Sequence, residues 1–204
     1  MTRSIRYGMG LALALVIGWS GVAAAEHWEV DPLHSSVVFR VKHLGVAFVH
    51  GRFNAFEGEV QFDPEAPEKD ASAKLTVETA SVDTAVAARD EHLRGAEFFN
   101  VEQHPTMTFE STGWKKKRGG YELMGNFTLL GVTKEIRIPA EALGTADGMQ
   151  GERRAGFNTT FTIQRSDFGM ATSLGPIGDD VEITVALSCI QPADEAAAED
   201  TAEE

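Results

Sequence analysis

A single cysteine, Cys189, stands in 204 residues, so no disulfide can form within the chain and stability has to come from a packed interior. Basic residues are scarce: 18 Lys and Arg face 31 Asp and Glu, a net charge of −13. That balance argues against nucleic acid or anionic membrane surfaces as electrostatic partners. No apolar run reaches the length of a membrane-spanning helix, the stretch Leu11 to Ile17 included. Also missing are a Gly-x-Ser-x-Gly nucleophile elbow and a phosphate-binding loop. His34, His43, His50, His92 and His104 match neither a His-Glu-x-x-His nor a paired Cys/His pattern, so no metal and no other resident cofactor is expected.

The N-terminus has the pattern of a secretory signal peptide over residues 1–25. Arg3 and Arg6 form a basic start, Leu11 to Ile17 an apolar run, and Ala23-Ala24-Ala25 a small-residue cleavage site. No cysteine follows the apolar run to carry a lipid anchor. The expected product begins at Glu26 and is soluble and periplasmic, or fully secreted, with no stable membrane anchor. At the other end, residues 192–204 set Asp194, Glu195, Glu199, Asp200, Glu203 and Glu204 among alanines, with nothing to bury, and are expected to be disordered. Residues 26–191 then form one domain, and a second has no room.

Alternation of apolar and polar residues recurs along that domain, and a period of two places alternate side chains on one face of a β-strand. Strands are expected near Ser35 to His43, Val49 to Phe62, Ser72 to Ala80, Thr106 to Ser111, Tyr121 to Leu129, Lys134 to Ala140, Arg153 to Arg165 and Asp180 to Ile190, with Gly, Pro and Asp clustered between them. Helical periodicity occurs only between Asp83 and Gly95, where Asp83 or Thr84 would cap the start and Gly95 the end. Within it, Asp90 and Arg94 are spaced as an i,i+4 ion pair. Lys115-Lys116-Lys117-Arg118 before Gly119-Gly120 reads as a solvated hairpin tip, and Cys189 as a small buried thiol. The inward faces carry Val37, Phe39 and Val41; Leu75 and Val77; Met107 and Phe109; Leu123, Phe127 and Leu129; Phe157, Phe161 and Ile163; and Val181, Ile183, Val185 and Leu187. One wet and one dry face per strand fits a closed barrel or a two-sheet sandwich with a solid core, and alternation alone does not separate them.

Several motifs occur in a fixed order: Trp28-Glu29-Val30-Asp31-Pro32 with His34-Ser35, Val41-Lys42-His43-Leu44-Gly45, Gly51-Arg52-Phe53, Ser81-Val82-Asp83-Thr84, Arg89-Asp90-Glu91-His92-Leu93-Arg94, Phe98-Phe99-Asn100-Val101, Pro105-Thr106-Met107-Thr108-Phe109, Leu130-Gly131-Val132-Thr133-Lys134 and Arg165-Ser166-Asp167-Phe168-Gly169. Together they resemble the YceI-like family of exported lipid-binding proteins, from Trp28 to about Leu187. The resemblance implies an all-β fold: an eight-stranded antiparallel lipocalin-like barrel with one short helix packed at an end. It also implies an apolar cavity for a polyisoprenoid, an isoprenoid quinone or a similar long-chain amphiphile, carried or sequestered without catalysis. The cavity wall would then be Phe39, Val41, Phe53, Leu75, Val77, Met107, Phe109, Phe127, Leu129, Phe157, Phe161, Ile163, Ile183 and Val185. A head group would meet Arg89, His92, Arg94, Arg165 and Asp167, because a buried lipid keeps its polar end hydrated or hydrogen-bonded. The contrasting readings are a solid-core interaction module serving a membrane redox or stress system, and a lipid hydrolase. Neither composition nor pattern decides between a monomer and a homodimer.

Overall fold

The computed structural model describes residues 25–64, 66 and 68–191. The signal-like segment 1–24 and the acidic tail 192–204 lie outside the described residues. Eleven strands form one antiparallel sheet: β1 (Glu26–Val30), β2 (Ser36–His43), β3 (Ala47–Phe53), β4 (Phe56–Phe62), β5 (Ser72–Glu78), β6 (Val82–Asp83), β7 (Thr106–Lys117), β8 (Gly120–Leu129), β9 (Val132–Asp147), β10 (Arg153–Gln164) and β11 (Ile177–Gln191). Among the described residues the one α-helix, α1, covers Ala87–Arg94.

The sheet closes on itself through β1 and β11, where Glu29 lies opposite Ile190 and Val30 opposite Cys189. β2 pairs with the same edge of β11 higher up, from Ala186 to Ile177. β1 and β2 are therefore one strand interrupted at residues 31–35, and β3 and β4 its return strand, interrupted at Asn54 and Ala55. Counted this way the closed barrel has eight strands, the expected number, although the expected Val49 to Phe62 strand is split. The split follows from parity: Phe53 and Phe56 are both buried yet three residues apart, so the backbone must reset between them.

Tight turns fix the register. The β2–β3 tip is the three residues 44–46, in which Leu44 (φ 51°) and Gly45 (φ 73°) both adopt positive φ and Val46 N–H donates to His43 O. That is the turn sense which matches strand twist. Leu130 (φ 52°) and Gly131 (φ 73°) repeat it between β8 and β9. Lys117, Arg118 and Gly119 lie at the β7–β8 tip, at the opposite end of the barrel.

The expected helix cap is different in detail. α1 begins at Ala87 after Val86, with no side-chain cap; Asp83 instead accepts the Ala85 N–H, and buried Asp90 accepts both the N–H and the hydroxyl of Thr84. The Asp90–Arg94 pair is not formed. Arg94 donates to the carbonyls of Ala80 and Val82 and lies 3.6 Å from Glu91, because the loop before the helix folds back beside it. Gly95 does follow the helix, with its N–H on the His92 carbonyl.

Large aromatic rings fill the end of the barrel away from α1. Trp28 stacks on Phe62 at 5.3 Å, Phe62 meets Phe157 edge-on at 4.9 Å, and Trp114 meets Phe157 at 6.2 Å. Cys189 is fully buried in this half, and burial pushes its thiol pKa up to about 12. A thiol held protonated among apolar groups is an inert packing residue.

Candidate functional site

The barrel is filled only at one end. Under α1 the interior opens into a cavity of about 340 Å³, within the range of small-molecule sites. Its wall is almost wholly apolar. β2 and β3 contribute Val37, Phe39, Val41, Val49 and Phe53, and the opposite strands Met107, Phe127, Leu129, Ile163, Val181 and Ile183. Leu93, Phe98 and Phe99, from α1 and the loop after it, close the top beside Met170 and Ile177 from the β10–β11 connection.

Space for these rings is made by small residues across the strand pair. Phe39 lies directly opposite Gly51, and a methyl at Gly51 would overlap the Phe39 ring and sit 2.9 Å from Thr84 Cγ2. With no side chain at Gly51, the ring lies flat on the barrel wall and leaves the interior empty. Phe53 then links the wall to the roof, with Phe39 at 5.6 Å on one side and Phe99 edge-on at 5.5 Å on the other.

Of the expected wall residues, Phe39, Val41, Phe53, Met107, Phe127, Leu129, Ile163 and Ile183 line this cavity. Leu75, Val77, Phe109, Phe157, Phe161 and Val185 also face inward but pack into the core outside it. Alternation reports which face a residue takes, not its height along the barrel axis, and the plug of Trp28, Phe62, Trp114 and Phe157 occupies the lower part. The sequence reading missed the roof, Leu93, Phe98, Phe99 and Met170. These residues lie in a helix, loops and turns, where no period of two marks an inward face.

The expected mouth residues have divergent roles. Arg89 lines the cavity; its Nε donates to Thr84 Oγ1 at 2.6 Å and its Nη2 to Thr84 O at 2.7 Å, leaving Nη1 with no hydrogen bond among the described residues. His92 also lines it, bonded to Glu97 at 2.8 Å with Phe98 edge-on at 4.9 Å. Arg94 is turned away onto the carbonyls described above. Asp167 does not line the cavity either, and pairs with Lys134 at 3.1 Å on the outer surface.

Arg165 borders the cavity but is spent on structure. It is 3 % exposed, and its guanidinium donates to the carbonyls of Gly178, Met170, Thr172 and Ile177 at 2.9–3.0 Å. Burial lowers its pKa, partly offset by nearby Asp179. The chain between β10 and β11 is thus wrapped around one buried cation, which has little capacity left to read a ligand.

The polar groups around the β1–β2 interruption bond to one another and to the backbone of β11. Asp31 accepts from Arg154 at 2.8 Å, contacts His34 Nδ1 at 2.6 Å, and its pKa is lowered to about 2, chiefly by the Arg154 hydrogen bond. The nearest hydroxyl motif, Ser35, donates to Ser188 O and accepts the Ser188 N–H, which holds the β1–β2 interruption on β11. Among the described residues, no group of three or more His, Cys, Asp or Glu is placed to hold a metal, and no helix is long and apolar enough to cross a membrane.

Comparison with known proteins places this geometry. The model of the YceI-like domain matches residues 28–189. A UPF0312 protein of Pectobacterium atrosepticum is 42 % identical over 172 residues, covering 84 % of this chain and 89 % of that one. The crystal structure of the Campylobacter jejuni YceI protein superposes with a TM-score of 0.67 at 31 % identity, covering 74 % of this chain and 90 % of that one. A polyisoprenoid binding domain from Saccharophagus degradans shares the fold, with a TM-score of 0.60 at 16 % identity and coverage of 82 % and 99 %. On the family match and the length of chain it covers, the protein belongs to the YceI-like domain family.

Proposed function

We propose that the protein binds a polyisoprenoid or similar long-chain amphiphile in the cavity under α1, and carries or sequesters it as an exported, unanchored, non-catalytic protein. The observation that carries this reading is the division of the barrel into a packed half and an empty half whose wall is apolar and whose few polar groups include Arg89 and His92 at its top. An empty apolar space costs dispersion and hydrophobic stability. A structural relative described as a polyisoprenoid binding domain, and the signal-like residues 1–25, support the same reading.

The energetic basis is burial. Each methylene taken from water contributes about 0.8 kcal/mol, so an isoprene unit brings roughly 3–4 kcal/mol before the ordering of the chain is subtracted. Binding should therefore respond to tail length more than to tail detail. Organic extraction of protein purified from its native export compartment, followed by mass spectrometry, tests the proposal. A stoichiometric isoprenoid or long-chain lipid is expected. Protein that arrives empty and takes up no added polyprenol from detergent would sink it.

A further inference from the structure

Several exposed apolar side chains cluster at the cavity end, while Leu33, Leu143 and Met149 are exposed elsewhere. Leu44 is 60 % exposed, Val46 87 % and Phe48 48 % on the β2–β3 hairpin, and Leu174 of the neighbouring loop 44 %. Leu44 N–H donates to Pro176 O at 2.7 Å, which holds that loop against the hairpin tip. The same hairpin supplies Val41, His43 and Val49 to the cavity wall, so the exposed surface and the cavity are continuous.

Two further features single this hairpin out. From Pro32 to Phe56 there is no Asp or Glu, although the chain as a whole has 31; the interval holds Arg40, Lys42 and Arg52 with His34, His43 and His50. Arg40 is matched by Glu182 and Arg52 lies near Asp83, but Lys42 makes no ion pair among the described residues and sits with its Nζ 5.7 Å from the Phe48 ring. Leu44 also occupies a positive-φ turn position where Asn, Asp or Gly is favoured, so a strained backbone presents a leucine to solvent.

From the exposed tip, the unpaired Lys42 beside it and the continuity with the cavity, we infer that the β2–β3 hairpin and Leu174 dock the protein on the surface of an anionic phospholipid bilayer. The inference rests on the lipid-binding reading and adds where the ligand enters. Leu44, Val46 and Leu174 sink into the interface while Lys42 meets the head groups. The cavity then faces the bilayer, and an apolar chain passes into it without crossing water.

Vesicle co-sedimentation tests this with the protein in solution. Wild type should partition onto phosphatidylethanolamine vesicles containing phosphatidylglycerol, and less onto phosphatidylcholine alone. Leu44→Asn with Val46→Thr should weaken that partition about tenfold or more while keeping the fold, since Asn suits the turn and each lost apolar anchor is worth that order. Lys42→Glu should remove the preference for the anionic vesicles. Unchanged partition of the double variant, or no partition of wild type, would overturn the docking surface. So would a wild-type dimer that the double variant converts to monomer by sedimentation, because the patch would then be covered by a second copy. Uptake of detergent-solubilised polyprenol, measured without vesicles, separates the two levels. Uptake by both forms with unaltered vesicle binding leaves the cavity reading and removes the docking. Vesicle binding lost in the variant, with polyprenol taken up by neither form, does the reverse.

Discussion

Arg165 and Arg89 lie on the same cavity rim yet should respond to mutation in opposite ways. Arg165→Ala strips four backbone carbonyls of their donor, and the buried one, on Met170, costs about 1–3 kcal/mol when left unpaired. The expected result is a large fall in Tm and an equal loss of binding for all ligands. Arg89→Gln leaves the barrel standing and should shift preference among lipids with one tail and different head groups, because its Nη1 is the free donor at the cavity top. Competition binding with such a lipid set, beside thermal melts, distinguishes the two. The wall gives a parallel contrast. Ala155→Leu, at 2 % exposure in the packed half, should destabilise by about 1–3 kcal/mol, whereas Ile183→Phe grows into the cavity and should cost less while blocking ligand. If both cost the same and neither affects uptake, the cavity is not the ligand site.

At the scale of elements, the join between β1 and β2 carries the clearest pH dependence. Asp31 sits in that interruption and bonds Arg154 of β10 across β11, which holds its folded pKa near 2 against an ordinary 3.8. A depressed carboxylate pKa stabilises the fold above the unfolded value, and that contribution fades as pH falls from about 4 to about 2. The amount is roughly 2 kcal/mol. Thermal melts of wild type across this window should drop more steeply than those of Arg154→Gln, and parallel curves would refute the assignment. Much of the element order was legible beforehand, because Phe39 and Val41, Phe127 and Leu129, or Ile183 and Val185 alternate without interruption. β1 gives too short a signal to read as a strand, since Trp28 and Val30 offer only two inward positions before Pro32. The parity slip between Phe53 and Phe56 is present in the sequence, but the apolar residues on either side of it read as one continuous strand. The roof was illegible for a different reason: Leu93, Phe98 and Met170 are brought together by loop conformation, and loops carry no period. Arg165 and Asp167 looked like head-group ligands because a charged motif after a strand says nothing about which carbonyls will surround it.

For the whole molecule, the volume of the open half limits how much ligand it encloses. Because the half with Trp28, Phe62 and Phe157 is packed, the open half encloses only part of a long chain. Calorimetric titration with prenols of increasing length should therefore show affinity rising with each unit that enters and flattening once the remainder trails from the mouth. A continued rise would mean that the Trp28, Phe62 and Phe157 plug yields to longer chains. The seam of the barrel has a consequence in time as well as in space. Val30 meets Cys189 and Glu29 meets Ile190, so the first and last strands of the domain pair with one another. No growing N-terminal fragment can shut the barrel, and contacts of such sequence separation form slowly. The cavity comes into being only when β11 is in place, so a ligand proposed to sit there would load after β11 has joined the barrel and not before.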